Sequence, residues 1–215
     1  IYEANGIAKE YTGYESKLKF KGEYKNGTRN GKGKGYDSIG HLRFEGEYLN
    51  GLKNGQGKEY MLEKLIFEGE FLNGVKWNGK LYADKIYEIK NGCGMMRNYY
   101  NNGEIEFEGE YIDGEKNGKG KEFNYNGKLR FEGDFKNGKR NGLGKEFYAN
   151  GEIDFEGEYI DGERNGKGKE FYFNNKGILK FEGEYLNGKR HGFGREYNNK
   201  GIIIYEGNYI NGERI

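Results

Sequence analysis

The sequence predicts an all-β protein, an open single-layer twisted ribbon of tandem antiparallel β-hairpins with no helices, and three observations predict it. An aromatic-x-Gly-Glu-aromatic core recurs at nearly constant intervals. Around each core, apolar and charged residues alternate with the two-residue period of a strand that has one wet face. Forty glycines stand against no proline, which supplies many tight turns and leaves the strand N–H groups available for pairing.

The cores begin at Phe20, Phe44, Phe67, Phe107, Phe131, Phe155, Phe181 and Tyr205, with spacings of 24, 23, 40, 24, 24, 26 and 24 residues. The 40-residue gap must hold one shortened or eroded repeat. The expected organisation is therefore a single array over residues 1–215, with about eight repeats, partial repeats at 1–17 and 205–215, and an irregular repeat at 75–100. A start at Ile and half-repeats at both ends suggest a piece of a longer chain.

The strand pattern is clearest in Glu152-Ile153-Asp154-Phe155-Glu156-Gly157-Glu158-Tyr159, where even positions are acidic and odd positions apolar or Gly. Leu129, Phe131, Gly133 and Phe135 repeat it, as do Leu179, Phe181, Gly183 and Tyr185. The aromatics are expected on one face, and the glycine between them to make room for a ring from a neighbouring strand. Ring pairs worth about 0.5–1.5 kcal/mol each beyond area burial would then hold a sheet that has no second layer. After each core comes Asn-Gly-x-x-Asn-Gly, as in Asn137-Gly138-Lys139-Arg140-Asn141-Gly142, which supplies the left-handed dihedrals of a chain reversal. The return strand reads Gly144-Lys145-Glu146-Phe147, and Asn150-Gly151 turns the chain into the next core.

Composition excludes several function classes. Hydrophobic residues make up 33% of the chain, against about 45–50% in ordinary globular proteins, so a thick two-layer core is hard to build. Charged residues are also 33%, but 20 Tyr and 14 Phe separate the chain from disordered sequences. Lys and Arg total 36 and Asp and Glu 35, which lacks the positive excess of a nucleic-acid binder. The lone Cys93 cannot form an internal disulfide, which fits a reducing, cytoplasmic setting. No run approaches the roughly 18 apolar residues of a membrane span, and Ile1-Tyr2-Glu3-Ala4-Asn5 lacks the layout of a signal peptide. Asn26-Gly27-Thr28 matches a glycosylation sequon, but the same Asn-Gly turn recurs without Thr.

The unit Phe181-Glu182-Gly183-Glu184-Tyr185-Leu186-Asn187-Gly188-Lys189-Arg190-His191-Gly192-Phe193-Gly194 resembles the MORN repeat (membrane occupation and recognition nexus), and the likeness covers nearly the whole chain. The resemblance implies stacked β-hairpins with aromatic residues lining a groove. It also implies roles in protein binding, dimerisation, cytoskeletal scaffolding and attachment near membranes. Two departures stand out. Tyr or Phe replaces the Trp common at the second aromatic position, and Gly144-Lys145-Glu146-Phe147 has one residue more before its aromatic than the common form. The extra residue predicts either a bulge or a changed register.

Candidate chemistry is sparse. Gly138-Lys139-Arg140-Asn141-Gly142-Leu143-Gly144-Lys145 looks like a phosphate loop, but it has one residue too many between its outer glycines and Glu146 where Ser or Thr should hold magnesium. His41 and His191, read as loop histidines, lie too many repeats apart to share a metal or a catalytic role. Glu106, Glu108 and Glu110 read as a solvated, ion-paired face. No catalytic, cofactor or metal residue is assigned.

The protein-binding candidates are the core aromatics Phe44, Tyr48, Phe67, Phe71, Phe107, Tyr111, Phe131, Phe135, Phe155, Tyr159, Phe181 and Tyr185, as a stripe left uncovered. Trp77, Met95 and Met96 join them from the irregular stretch, which reads either as a hot spot or as a decayed repeat. Lys32, Lys34, Lys119, Lys121, Lys167 and Lys169 form a candidate basic stripe for anionic lipid, weakened by the glutamates beside it. The expected function is a non-catalytic scaffold that binds a protein partner or another copy of itself through its aromatic face. The alternative is a peripheral membrane adaptor acting through the lysines. Either would work in the cytoplasm, at the cytoskeleton or at a membrane surface.

Overall fold

A computed structural model describes residues 5–12, 16–174 and 177–215. The first four residues and part of the partial repeat at 1–17 lie outside the described residues. The strands are β1 (Gly6–Tyr11), β2 (Leu18–Lys25), β3 (Thr28–Tyr36), β4 (Leu42–Leu49), β5 (Leu52–Met61), β6 (Lys64–Leu72), β7 (Val75–Tyr82), β8 (Ile86–Ile89), β9 (Gly94–Tyr99) and β10 (Ile105–Ile112). They continue with β11 (Glu115–Phe123), β12 (Leu129–Lys136), β13 (Lys139–Phe147), β14 (Ile153–Ile160), β15 (Glu163–Phe171), β16 (Leu179–Leu186), β17 (Lys189–Tyr197), β18 (Ile203–Ile210) and β19 (Glu213–Arg214).

Each strand pairs with its neighbour in chain order, in one open sheet of eight strands (β1–β8) and another of eleven (β9–β19). The fold is all-β, as the alternation predicts. The strands form two sheets because the ladder breaks inside the irregular repeat, where among the described residues the connection from β8 to β9 holds an isolated bridge between Lys90 and Cys93. The chain also divides into two compact units, with a border that falls after β9 and not at the break between the sheets. One comprises the described residues up to Gly103 with Tyr111–Gly114, and the other Glu104–Glu110 with Glu115–Ile215.

The two Asn-Gly pairs of each repeat do different jobs. Asn137 and Gly138 have φ of +50° and +80° between the paired Lys136 and Lys139, the signature of a two-residue type I′ turn. Asn141-Gly142, expected as part of the same reversal, lies inside β13. There Gly133 pairs with Gly144 and Phe135 with Arg140, so the return strand carries extra residues as a bulge. The core acid explains that bulge. Asp134 Oδ2 accepts the Leu143 N–H at 3.2 Å, and Glu158 Oε1 accepts the Lys167 N–H at 3.2 Å.

The other sequence departure resolves as a bulge too. Glu146 pairs with Phe155 and Phe147 with Ile153, leaving Asp154 opposite nothing. The same step occurs between Glu122 and Phe123, Glu170 and Phe171, and Glu196 and Tyr197. The glutamate before it stays in regular register, directly across from a core ring on the ring-bearing face.

Neighbouring repeats are fastened at the tips. The tip glycine N–H donates to a carbonyl of the preceding repeat: Gly138 to Lys116, Gly162 to Arg140, Gly188 to Arg164 and Gly212 to Arg190, each at 2.9 Å. In the other unit, Gly51 donates to Arg29 at 2.9 Å and Gly74 to Lys53 at 2.8 Å.

Candidate functional site: the ring-bearing face and its reverse

The glycine of each core pairs across the strands with a second glycine, Gly133 with Gly144, Gly157 with Gly168 and Gly183 with Gly194. Over each pair lies the phenylalanine two residues before the first glycine. A methyl carbon added at Gly168 would stand 2.5 Å from Phe155 Cζ, and one at Gly183 would stand 2.6 Å from Phe181 Cζ. Each phenylalanine thus lies over the glycine of its own strand and, at least as closely, over the paired glycine of the neighbouring strand, as the sequence suggested for a ring reaching across strands. The neighbouring repeat's ring sits further off, with Tyr185 3.1 Å from the same point at Gly168.

Tyr48, Phe71, Phe135, Tyr159, Tyr185 and Tyr209, each the second aromatic of its core, meet the first aromatic of their own core and that of the preceding repeat edge to face. In the second unit the chain of rings runs Phe107, Phe135, Phe131, Tyr159, Phe155, Tyr185, Phe181, Tyr209, Tyr205, with centroids 5.1–5.6 Å apart. The first unit repeats it through Phe20, Tyr48, Phe44, Phe71 and Phe67 at 5.1–5.2 Å. The quadrupoles favour this geometry over the face-to-face stack that a stripe of rings suggests.

The stripe is covered. Phe44, Phe67, Phe107, Phe131, Phe155 and Phe181 are at most 1% exposed, and Tyr48, Phe71, Tyr111, Phe135, Tyr159 and Tyr185 at most 7%. What covers them is charge. Arg29, Arg140, Arg164 and Arg190 lie 4.1–4.3 Å above Phe20, Phe131, Phe155 and Phe181, while Lys116 lies 4.1 Å above Phe107 and Lys53 4.8 Å above Phe44. Each ring is therefore sandwiched between a glycine pair and a cation, and that cation comes from the repeat's own return strand.

Carboxylates complete this layer. Arg140 joins Glu122 at 2.7 Å to Glu146 at 2.6 Å, and Arg164 bonds the same Glu146. Arg190 joins Glu170 at 2.7 Å to Glu196 at 3.6 Å, and Lys53 and Lys76 share Glu59. This glutamate is the one just before the bulge, on the ring-bearing face, and sequence reading missed its role. Its signal was the Lys-Glu-aromatic recurring opposite the Arg or Lys of each turn.

Burial disfavours the charged form of Glu170. Hydrogen bonds from Arg190 and the Tyr185 hydroxyl, with the fields of Arg190 and Lys180, outweigh it and hold its pKa down to about 2. Glu59 is likewise held to about 2, its burial overcome by the fields and hydrogen bonds of Lys76 and Lys53. Because these folded-state values lie below the ordinary 4.5, the carboxylates stabilise the fold fully above that pH and lose their contribution as pH falls through about 2. Urea midpoints measured from pH 7 downward are expected to drop between about pH 4.5 and 2, with a shallower drop in Glu170→Gln.

The reverse face carries the lysines, but not as a continuous stripe. Lys32 and Lys34 lie opposite Glu47 and Glu45, Lys119 and Lys121 opposite Asp134 and Glu132, and Lys167 and Lys169 opposite Glu184 and Glu182. Lys34 reaches Glu45 at 2.9 Å, Lys119 reaches Asp134 at 2.7 Å and Lys121 comes within 3.9 Å of Glu132. Basic and acidic strands alternate across the face.

An aliphatic residue next to the turn on this reverse face, present in six of the eight repeats, was also missed. Leu49 is 46% and Leu72 39% exposed in the first unit, and Ile160 53%, Leu186 44% and Ile210 49% in the second. Ile112 is 50% exposed at the same position, and Lys25 and Lys136 take it in the other two repeats.

In the irregular stretch, Leu81 takes the place of the inward glutamate, pairing with Phe67, and is fully buried with Ile89 and Met96. Trp77 is half-buried with its ring against Gly92, and its carbonyl accepts the Gly92 N–H at 2.8 Å. Met95 and Cys93 are half-buried. His191, read as a loop residue, lies within β17, and both histidines are half-buried. Among the described residues no group of His, Cys, Asp or Glu is arranged to hold a metal.

Hairpins paired only in chain order, with rings packed on glycine pairs in place of a second layer, define an open β-hairpin repeat protein. The MORN repeat profile matches residues 20–34, 44–61, 107–128, 131–153, 155–176 and 181–202, more than half of the chain, and the chain belongs to the MORN-repeat family. No curated protein matches the chain. MORN repeats generally serve as protein- or membrane-binding modules.

Proposed function

We propose that this chain is a non-catalytic scaffold that binds a protein partner, a second copy included, through its repeated surface. The observation that carries the reading is the aliphatic side chain left about half-exposed beside the hairpin tip in repeat after repeat. The ring packing is complete without Ile160, Leu186 and Ile210, yet they stand at one register on one face. Apolar atoms in solvent at a fixed interval favour contact with another macromolecule. The core aromatics contribute from beneath, by fixing the spacing of the repeats, and on their own face a partner meets the guanidinium and carboxylate groups above them. We place the scaffold in the cytoplasm, at a cytoskeletal or membrane-proximal assembly.

The membrane alternative has weaker support, because the lysines it needs stand opposite acidic residues that cancel much of their field. The test is an Ile160→Ser, Leu186→Ser, Ile210→Ser variant, which removes exposed groups and is expected to stay folded. Partner capture or self-association by the wild type should fall sharply in this variant, and co-sedimentation with anionic vesicles should be absent at physiological salt. Undiminished capture would remove the tip row as the contact, and salt-sensitive vesicle binding would favour the lysines.

A further inference from the structure

Asn-Gly is the dipeptide most open to spontaneous deamidation, because the glycine nitrogen has no Cβ to hinder its attack on the asparagine side chain. This chain places Asn-Gly at the tips, as Asn137-Gly138, Asn187-Gly188 and Asn211-Gly212, where the asparagine is exposed. We propose that the tip asparagines are latent modification sites, each held inert by the preceding repeat and released to deamidate when that repeat opens.

The chemistry makes the requirement explicit. The Gly138 backbone nitrogen must give its proton to solvent hydroxide and form a bond to Asn137 Cγ. The tetrahedral adduct expels the side-chain nitrogen as ammonia, leaving a five-membered succinimide. Water then opens the ring at either carbonyl to aspartate or isoaspartate, so the net change is Asn plus water to acid plus ammonia, with no oxidation or reduction.

In the array, the attacking nitrogen is occupied. Gly138 N–H is donated to Lys116 O, Gly188 N–H to Arg164 O and Gly212 N–H to Arg190 O, each at 2.9 Å. These bonds retain the proton and aim it at another repeat, and the type I′ geometry fixes the amide plane. At two bulges the electrophile is held instead, also by a neighbour: Asn54 Oδ1 accepts the Asn73 N–H at 3.1 Å, and Asn78 Oδ1 accepts the Asn91 N–H at 2.9 Å.

The two products differ in consequence. Aspartate fits the tip, since Asp161-Gly162 has φ of +51° and +96° and keeps the bond from Gly162 to Arg140. Isoaspartate inserts a methylene into the main chain of a two-residue turn, which shifts the register of the hairpin. Deamidation would therefore leave a permanent mark of a repeat that had lost its neighbour.

The test incubates the 215-residue chain at mildly alkaline pH in oxygen-18 water and follows label at each tip by peptide mapping. Asn137 and Asn187 should react at least about tenfold more slowly in native buffer than in concentrated urea, because reaction then waits on local opening. Equal rates would overturn the proposal. Phe107→Ser, which loosens the repeat that holds Gly138, should accelerate Asn137 and leave Asn211 unchanged. Phe181→Ser, which loosens the repeat that holds Gly212, should give the opposite pattern. The same uniform rise at both tips in both variants would show that global unfolding, not the neighbouring repeat, sets the protection.

Discussion

Replacing Phe155 by alanine is expected to destabilise the protein by about 3–5 kcal/mol, the range for a fully buried phenylalanine. The ring is 0% exposed, and it touches different partners in every direction. Gly157 and Gly168 lie beneath it, Tyr159 and Tyr185 meet it edge to face at 5.6 and 5.2 Å, and the Arg164 guanidinium lies 4.1 Å above. A single-layer sheet has no opposing layer that could settle into the void, so the site relaxes little. Arg164 keeps its bonds to Glu146 and Asp154 but loses the surface on which it rests. Leu143→Ala, at a position 64% exposed on the other face, should change stability by about 0.5 kcal/mol or less. Urea denaturation followed by circular dichroism distinguishes the two, and similar midpoints would mean that the rings are not the interior.

Adding one methyl group at Gly133 is expected to cost about 2–4 kcal/mol, the upper part of the range for ordinary single substitutions. The new carbon would stand 2.5 Å from Leu143 O, 2.6 Å from Gly144 Cα and 2.8 Å from Phe131 Cζ. Two of these are backbone atoms of the paired strand. The third belongs to a ring that Arg140 covers at 4.1 Å, so it cannot lift without breaking the cation layer. Gly151→Asn provides the comparison. Gly151 has φ of +88° with nothing near its missing side chain, and asparagine tolerates that region, so the cost should be no more than about 1 kcal/mol. If Gly133→Ala proved as mild, ring-over-glycine packing would not be what excludes side chains there.

Much of this was legible in the residues themselves. The alternation through Glu152–Tyr159, the Asn-Gly turn at 137–138 and the recurrence of the core are local signals, because strand periodicity and turn dihedrals depend on residues adjacent in the chain. They determine the hairpins, their order and the family. Even the extra residue before Phe147 announced a bulge or a register change, though not which of the two.

The candidate site was less legible, because it depends on which side chains meet across strands. A row of aromatics on one face reads as an open stripe until the return strand is placed. Only then do Arg164 and Glu146 appear over and beside Phe155, and the stripe becomes an interior. The lysines read as a stripe until pairing sets Lys119 and Lys121 against Asp134 and Glu132. Before the break between β8 and β9, Leu81 and Ile89 stand where other repeats carry a glutamate and a glycine, an exchange that shows only in the ladder. Sequence by itself determined the repeating unit, since its rules act over a few residues. Tertiary structure decided which surface is buried, since burial depends on the repeat next door.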